Sequence, residues 1–260
     1  MVRPSAARSS LQFATFLSRL GALAALLVIW QIIGIALHNP VLPPPSTVLP
    51  QLLKDAPRAL GAHFAVSLWR VVASIGLAIG TAAPAGLLLG QSRRLSGIFT
   101  PFIALLYPIP KVVLVPIVLL VLGVGDLPKI VIITMILFFQ ILVLVRDAAS
   151  AIRPELLTSV RSLGAGRRAL FRFVYLPASL PAILTAVRQS IGTAIAVLYV
   201  AELFATRYGL GYYIYLQGST LFDYPRMYAG IIAMGALGLG LSAAVDAVER
   251  RLCPWCAANG

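Results

Sequence analysis

Charge is what this chain has least of. Of its 260 residues, 11% are Asp, Glu, Lys or Arg, against about 25% in an ordinary soluble domain. Acid is scarcer than base, with 8 Asp and Glu against 21 Lys and Arg. A mean hydropathy of +0.93 excludes a soluble globular fold and excludes disorder as well. Cysteine is confined to Cys253 and Cys256, so no disulfide framework can span the fold. The three lysines, Lys54, Lys111 and Lys129, follow no glycine-rich loop. The phosphate cradle G-x-x-x-x-G-K-[ST] is missing, so any ATP chemistry must sit on another chain. His38 and His63 stand alone, and no metal site is expected.

Hydrophobic residues make up 60% of the chain, and they fall into runs long enough to cross a bilayer. The runs lie near 16–37, 64–90, 98–122, 129–145, 180–204 and 227–248. These spacings predict an all-α polytopic bundle of about six transmembrane helices, with five as the alternative. The first run is too long for a signal-peptide core and shows no small-residue cleavage site. Prolines 40, 43, 44, 45 and 50 break the chain after it, and Ser46 is the expected N-cap of a short amphipathic helix. Two G-x-x-x-G pairs in the second span, Gly76/Gly80 and Gly86/Gly90, suit close helix contact. The third span is interrupted by Pro101, Pro108, Pro110 and Pro116.

The net charge of +13 does not point to nucleic acid, because no basic groove with interleaved aromatics is present. It is explained by topology. With the N-terminus inside, Arg3, Arg8, Arg19, Arg93, Arg94, the arginines from 146 to 172, Arg250 and Arg251 fall on the inner side. Only Lys54, Arg58, Lys129, Arg207 and Arg226 fall outside. The positive-inside rule then places both termini in the cytoplasm. Residues 1–15 form a cytoplasmic tail, 16–249 the transmembrane domain, and 250–260 a second cytoplasmic tail.

One inner segment is too long for a connector and too polar to span: residues 148–178. Pro154 and Glu155 suit a helix N-terminus, and Leu156, Leu157, Val160 and Leu163 recur at helical spacing. Gly164 ends that helix, and a second short helix is expected over about 167–175, stopping before Leu176-Pro177. Two short helices hinged at a glycine make a knob able to dock in a groove on another protein.

The stretch PELLTSVRSLGAGRRALFRFVYLPASLPAIL resembles the cytoplasmic coupling loop of bacterial ABC-transporter permeases. Gly164, Leu176 and Pro177 match that pattern, whereas Thr158, Ser159 and Val160 stand in place of its Glu-Ala-Ala. LPPPSTVLPQL, PIPKVVLVPIVLLVLGVGDLPKI, VAELFATRYGLGYYI and ERRLCPW resemble the nitrate/sulfonate/taurine branch. The resemblance implies a type I importer permease in the bacterial inner membrane, forming the path of a small solute such as nitrate, a sulfonate or taurine. It implies a dimer of ATP-binding subunits, a second permease subunit and a periplasmic or lipid-anchored solute-binding protein as partners. No cofactor is then held on this chain, ATP-Mg being bound by the partner subunit. Glu155, Leu157, Val160, Arg161, Leu163, Gly164, Ala165, Arg168, Leu176 and Pro177 would carry coupling to the ATPase. Arg161 and Arg168 have a second reading as topology-setting charges.

Three residues inside the spans are candidates for the path: Lys111, Tyr199 and Glu202. A carboxylate in a membrane is costly unless paired or facing water, so Glu202 either lines the path or pairs, with Arg207 or a second subunit. Lys111 either meets an anionic solute or satisfies carbonyls freed by its neighbouring prolines. Tyr199 shares the helical face of Glu202. Three other classes compete. Gly123–Asp126 fits the G-x-G-D of aspartyl membrane proteases, but a second carboxylate in the same site is missing. An ion-gradient-driven transporter predicts an internal repeat, and none is found. A non-transporting scaffold has no feature of its own. Cys253 and Cys256 lack both a thioredoxin scaffold and the four ligands of a structural zinc site.

Overall fold

The apolar runs fold as helix, the third broken between Leu106 and Lys111, because a backbone in lipid must satisfy its own hydrogen bonds. A computed structural model describes residues 5–254. Its helices are α1 (Ser5–Leu37), α2 (Pro45–Asp55), α3 (Gly61–Gln91), α4 (Arg93–Leu106), α5 (Val115–Leu122) and α6 (Asp126–Ser150). They continue with α7 (Pro154–Ser162), α8 (Arg167–Leu170), α9 (Leu176–Glu202), α10 (Leu210–Tyr215) and α11 (Tyr224–Leu252). Among the described residues five helices are long and apolar enough to cross a membrane, or six if α4 and the Lys111–Leu122 limb form one span bent by 76°. Among the described residues there is no strand. Arg3 and Cys256 lie outside the described residues, and Cys253 is buried.

The core is a layer of α3, α6 and α9. Small residues set its spacing: Ala78, Ala82, Ala186, Ala194 and Ala201 are buried between the helices. A Cβ on Gly86 would lie 2.9 Å from Leu142 O, and one on Gly90 would lie 2.6 Å from Arg146 O. This G-x-x-x-G pair therefore seats α3 on α6, as its spacing predicts. The other pair does not serve that purpose, since Gly76 and Gly80 face open space. α1 meets the bundle through α2 and through α11, where the Trp30 and Tyr228 rings lie 5.5 Å apart.

Three expectations need correction. Ser46 is not the N-cap of α2. Pro44 takes that position with Pro45 in the first turn, and the Gln31 side chain accepts from Ser46 N at 3.1 Å while donating to Ser46 Oγ at 3.0 Å. The helix after Gly166 does not stop before Leu176-Pro177. It runs from Arg167 to Glu202, because a π-helical stretch, Phe171–Tyr175, bonds Leu176 N–H to Phe171 O. That widened turn absorbs the missing N–H of Pro177, which sits in the first turn of α9. Lastly, Lys129 is no outer-loop charge. It is buried and donates to Gly125 O at 2.8 Å and Ala205 O at 3.3 Å.

Candidate functional site

The loop between α6 and α9 folds as a helical hairpin outside the bundle. Arg153 N-caps α7, with Pro154 in the first turn and Glu155 placed to favour the N-terminal dipole. α7 ends at Gly164, which has φ +84° and donates to Arg161 O at 2.9 Å. This is the left-handed terminus that glycine favours. Leu157, Val160 and Ala165 turn inward onto Leu170, Val174 and Tyr175, forming a small apolar cluster of their own. The expected apolar stripe is therefore split. Leu157 and Val160 hold the hairpin closed, while Leu156 and Leu163 face outward, Leu163 at 86% exposure. Glu155, Arg161, Arg168 and Leu176 are exposed, and Pro177 is half-buried at the root of α9. The hairpin thus presents a bare apolar tip beside exposed charges.

A polar cluster closes the opposite end of the core, and the sequence reading found only part of it. Arg70 Nη1 donates to Glu202 Oε1 at 2.7 Å and to Tyr208 O at 2.8 Å. Its Nη2 and Nε reach Asp126 Oδ1 at 2.6 and 2.9 Å. Ser67 Oγ lies 2.8 and 2.9 Å from the two Glu202 oxygens and accepts from Leu210 N–H at 2.8 Å. Gly211 N–H completes the Glu202 shell at 2.8 Å. Glu202 thus pairs with Arg70 rather than Arg207. It is wholly buried with both oxygens occupied, and through Arg70 and Asp126 the cluster fastens α3, α6 and α9 to the 203–211 loop. A Cβ on Gly211 would come within 2.7 Å of Tyr199 O, and one on Gly209 would strike the Glu202 carboxylate itself. Those two glycines in the YGLGYY run are there for close approach. Tyr199 is half-buried and packs on the core.

Lys111 stands elsewhere. At the break after α4, Nζ donates to Leu106 O, Tyr107 O and Ile109 O at 2.8, 3.1 and 3.3 Å. These carbonyls are the ones the Pro108 and Pro110 break leaves without helical partners. The ammonium also lies 4.4 Å over the Phe139 ring, a cation–π geometry. It lines a cavity of about 320 Å³ with Tyr107, Phe139, Gln140 and Thr193. Gln140 donates to Thr193 Oγ1 at 3.4 Å, and its buried Oε1 has no donor among the described residues. Of the three residues expected on a path, Lys111 lines this cavity. No sequence signal marks Gln140 or Thr193, which lie on helices whose exposed and buried polar residues look alike in a string.

The family described as "Binding-protein-dependent transport system inner membrane component" matches residues 82–253, from mid-α3 to the end of α11. The taurine transport system permease protein TauC of Escherichia coli (strain K12) is 32% identical over 244 residues, covering 91% of this chain and 88% of that protein. The putative aliphatic sulfonates transport permease protein SsuC of Bacillus subtilis (strain 168) is 29% identical over 237 residues, covering 89% and 85%. An inward-facing structure of the MetNI methionine ABC transporter superposes with a TM-score of 0.62 at 22% identity, covering 75% of this chain and 96% of that one. That likeness establishes the fold as the type I importer permease bundle. An ion-driven carrier, a membrane protease and a passive scaffold are set aside by the family match. The chain belongs to the binding-protein-dependent inner-membrane components: it is a multi-pass permease subunit of an ABC importer, not an enzyme, working with ATP-binding and solute-binding partners.

Proposed function

We propose that two copies of this chain form the translocation path of an importer for a small sulfonate, taurine-like solute or nitrate. The observation that carries this reading is the 32% identity to a taurine permease along 91% of the chain. An external binding protein delivers the solute to the face carrying the Arg70–Glu202 cluster. A pair of ATP-binding subunits holds ATP-Mg and receives the α7–α8 hairpin, so this chain carries no cofactor. Both termini are cytoplasmic, in keeping with the arginine asymmetry. Closure of the ATPases moves the hairpin, and the rigid α3–α6–α9 layer carries that movement to the path. The hairpin must make different contacts in the two states, otherwise ATP shifts nothing. Lys111, its N–H groups held by three backbone carbonyls, lends the cavity positive charge beside the neutral polar groups of Gln140 and Thr193.

The test is uptake by proteoliposomes holding the permease and its ATPase, with the cognate binding protein outside and ATP-Mg within. Labelled taurine, ethanesulfonate and nitrate are offered in turn. Accumulation of one of them that needs both ATP and the binding protein is expected. Accumulation of none of the three, under conditions where the binding protein stimulates ATP hydrolysis, overturns the substrate class. Uptake without ATP overturns the mechanism.

A further inference from the structure

Two cavities meet at the joint between α3 and α4. The first, about 640 Å³, opens between that joint and the hairpin, and Arg161, Arg167 and Arg168 line it beside Gln91, Phe171 and Tyr175. The second, about 550 Å³, is a wholly apolar groove between α3, α4 and α6, walled by residues such as Phe99, Phe102 and Phe138. Leu88 and Leu95 belong to both walls. A basic chamber thus continues into an apolar groove on the membrane side.

The chamber's positive charge has no acidic counterpart among the described residues. Every acidic residue except Glu155 is in an ion pair elsewhere. Glu155 lies on another face of α7, beside Thr158, Ser159 and Ser162. Arg161, Arg167 and Arg168 have no ion pair among the described residues. Arg167 and Arg168 also open the long helical run to Glu202, whose first turn carries no side-chain cap and is already the positive end of a dipole. Gln91 Nε2, in the same wall, is buried without an acceptor among the described residues. Three guanidiniums and an idle amide donor call for an anion rich in acceptor oxygens, and guanidinium suits phosphate.

We infer that this joint binds an anionic phospholipid, its phosphate in the arginine chamber and an acyl chain in the apolar groove. A free phosphate would use the chamber and leave the groove empty. Only an amphiphile matches both, and basic pockets at the cytoplasmic end of membrane helices suit such headgroups. The inference rests on the cytoplasmic placement of the hairpin. Because the chamber is half α3–α4 joint and half hairpin, bound lipid ties the coupling element to the bundle.

The test is native mass spectrometry of the transporter assembled with its ATPase and released from nanodiscs containing equal parts phosphatidylglycerol and phosphatidylcholine. Selective retention of phosphatidylglycerol is expected. The double variant R167A/R168A should cut it by about thirtyfold, two basic side chains being removed from the headgroup. Leu88→Trp, which fills the junction while leaving every charge in place, should cut it too. R250A/R251A, which removes the same charge from the exposed end of α11, should not. Equal retention by wild type and both chamber variants overturns the inference. So does displacement of the lipid by millimolar inorganic phosphate with no loss in Leu88→Trp, which would mark the chamber as a free-anion site.

Discussion

Arg70 and Glu202 are 132 positions apart in the chain and bury their charges together, at 3% and 0% exposure. Removing one partner of such a pair leaves the other charge stranded. Arg70→Ala should therefore cost about 3–5 kcal/mol, read as a shift in unfolding midpoint during SDS titration from mild detergent. Glu202→Gln, which keeps one oxygen for Arg70 while its NH2 faces Gly211 N–H, should cost less than Arg70→Ala, because Asp126 still pairs the guanidinium. Equal costs, or an Arg70→Ala midpoint within error of wild type, would mean that the cluster is not a clasp. The need for a partner was legible from the sequence, because an intramembrane carboxylate demands one. The partner's identity was not, because nothing local to residue 202 marks an arginine on α3. Lys111 was legible for the converse reason: its carbonyl partners lie within five residues, inside the proline break that frees them.

At the scale of the element, spacing alone read the two G-x-x-x-G pairs as equivalent, and packing separates them. Gly86→Val drives two methyls into the α6 backbone and should cost about 1–3 kcal/mol or more in the same titration. Gly76→Val meets open space and should unfold like wild type. Matching midpoints for the two variants would sink the α3–α6 seat. The hairpin gives a second contrast. Gly164 has φ +84°, and proline is locked near −65°. Gly164→Pro should leave the protein in the membrane while cutting ATP-driven uptake by at least about tenfold, as expected when a lever is mis-aimed by an ångström or more. Normal coupled uptake in that variant would remove the hairpin from the coupling path. The end of α7 was legible because glycine at a helix terminus has one dominant geometry. The run of helix through Leu176-Pro177 was not, because proline reads as a stop. Only the π stretch before it, visible in three dimensions, lets the helix continue.

For the molecule as a whole, lipid replaces the charged shell that a soluble protein needs. Charge is thereby released for two tasks, fastening the outer cluster and setting orientation. The proposed orientation rests on the arginine asymmetry, and it can be tested because the two ends can be told apart chemically. Leu163, at the hairpin tip, is 86% exposed, and Phe222, between α10 and α11, is 65% exposed. Each can be replaced by cysteine in a background carrying Cys256→Ser, with the buried Cys253 retained. A membrane-impermeant maleimide should label Phe222→Cys on intact cells at once. Leu163→Cys should react only after the membrane is opened, and more slowly when the ATPase is present to cover the hairpin. Labelling of Leu163→Cys from outside would invert the protein and put the hairpin beyond reach of any cytoplasmic ATPase. Protection of Phe222→Cys that disappears when the binding protein is absent would instead place that loop under the binding protein, where the outer face of an importer must receive it.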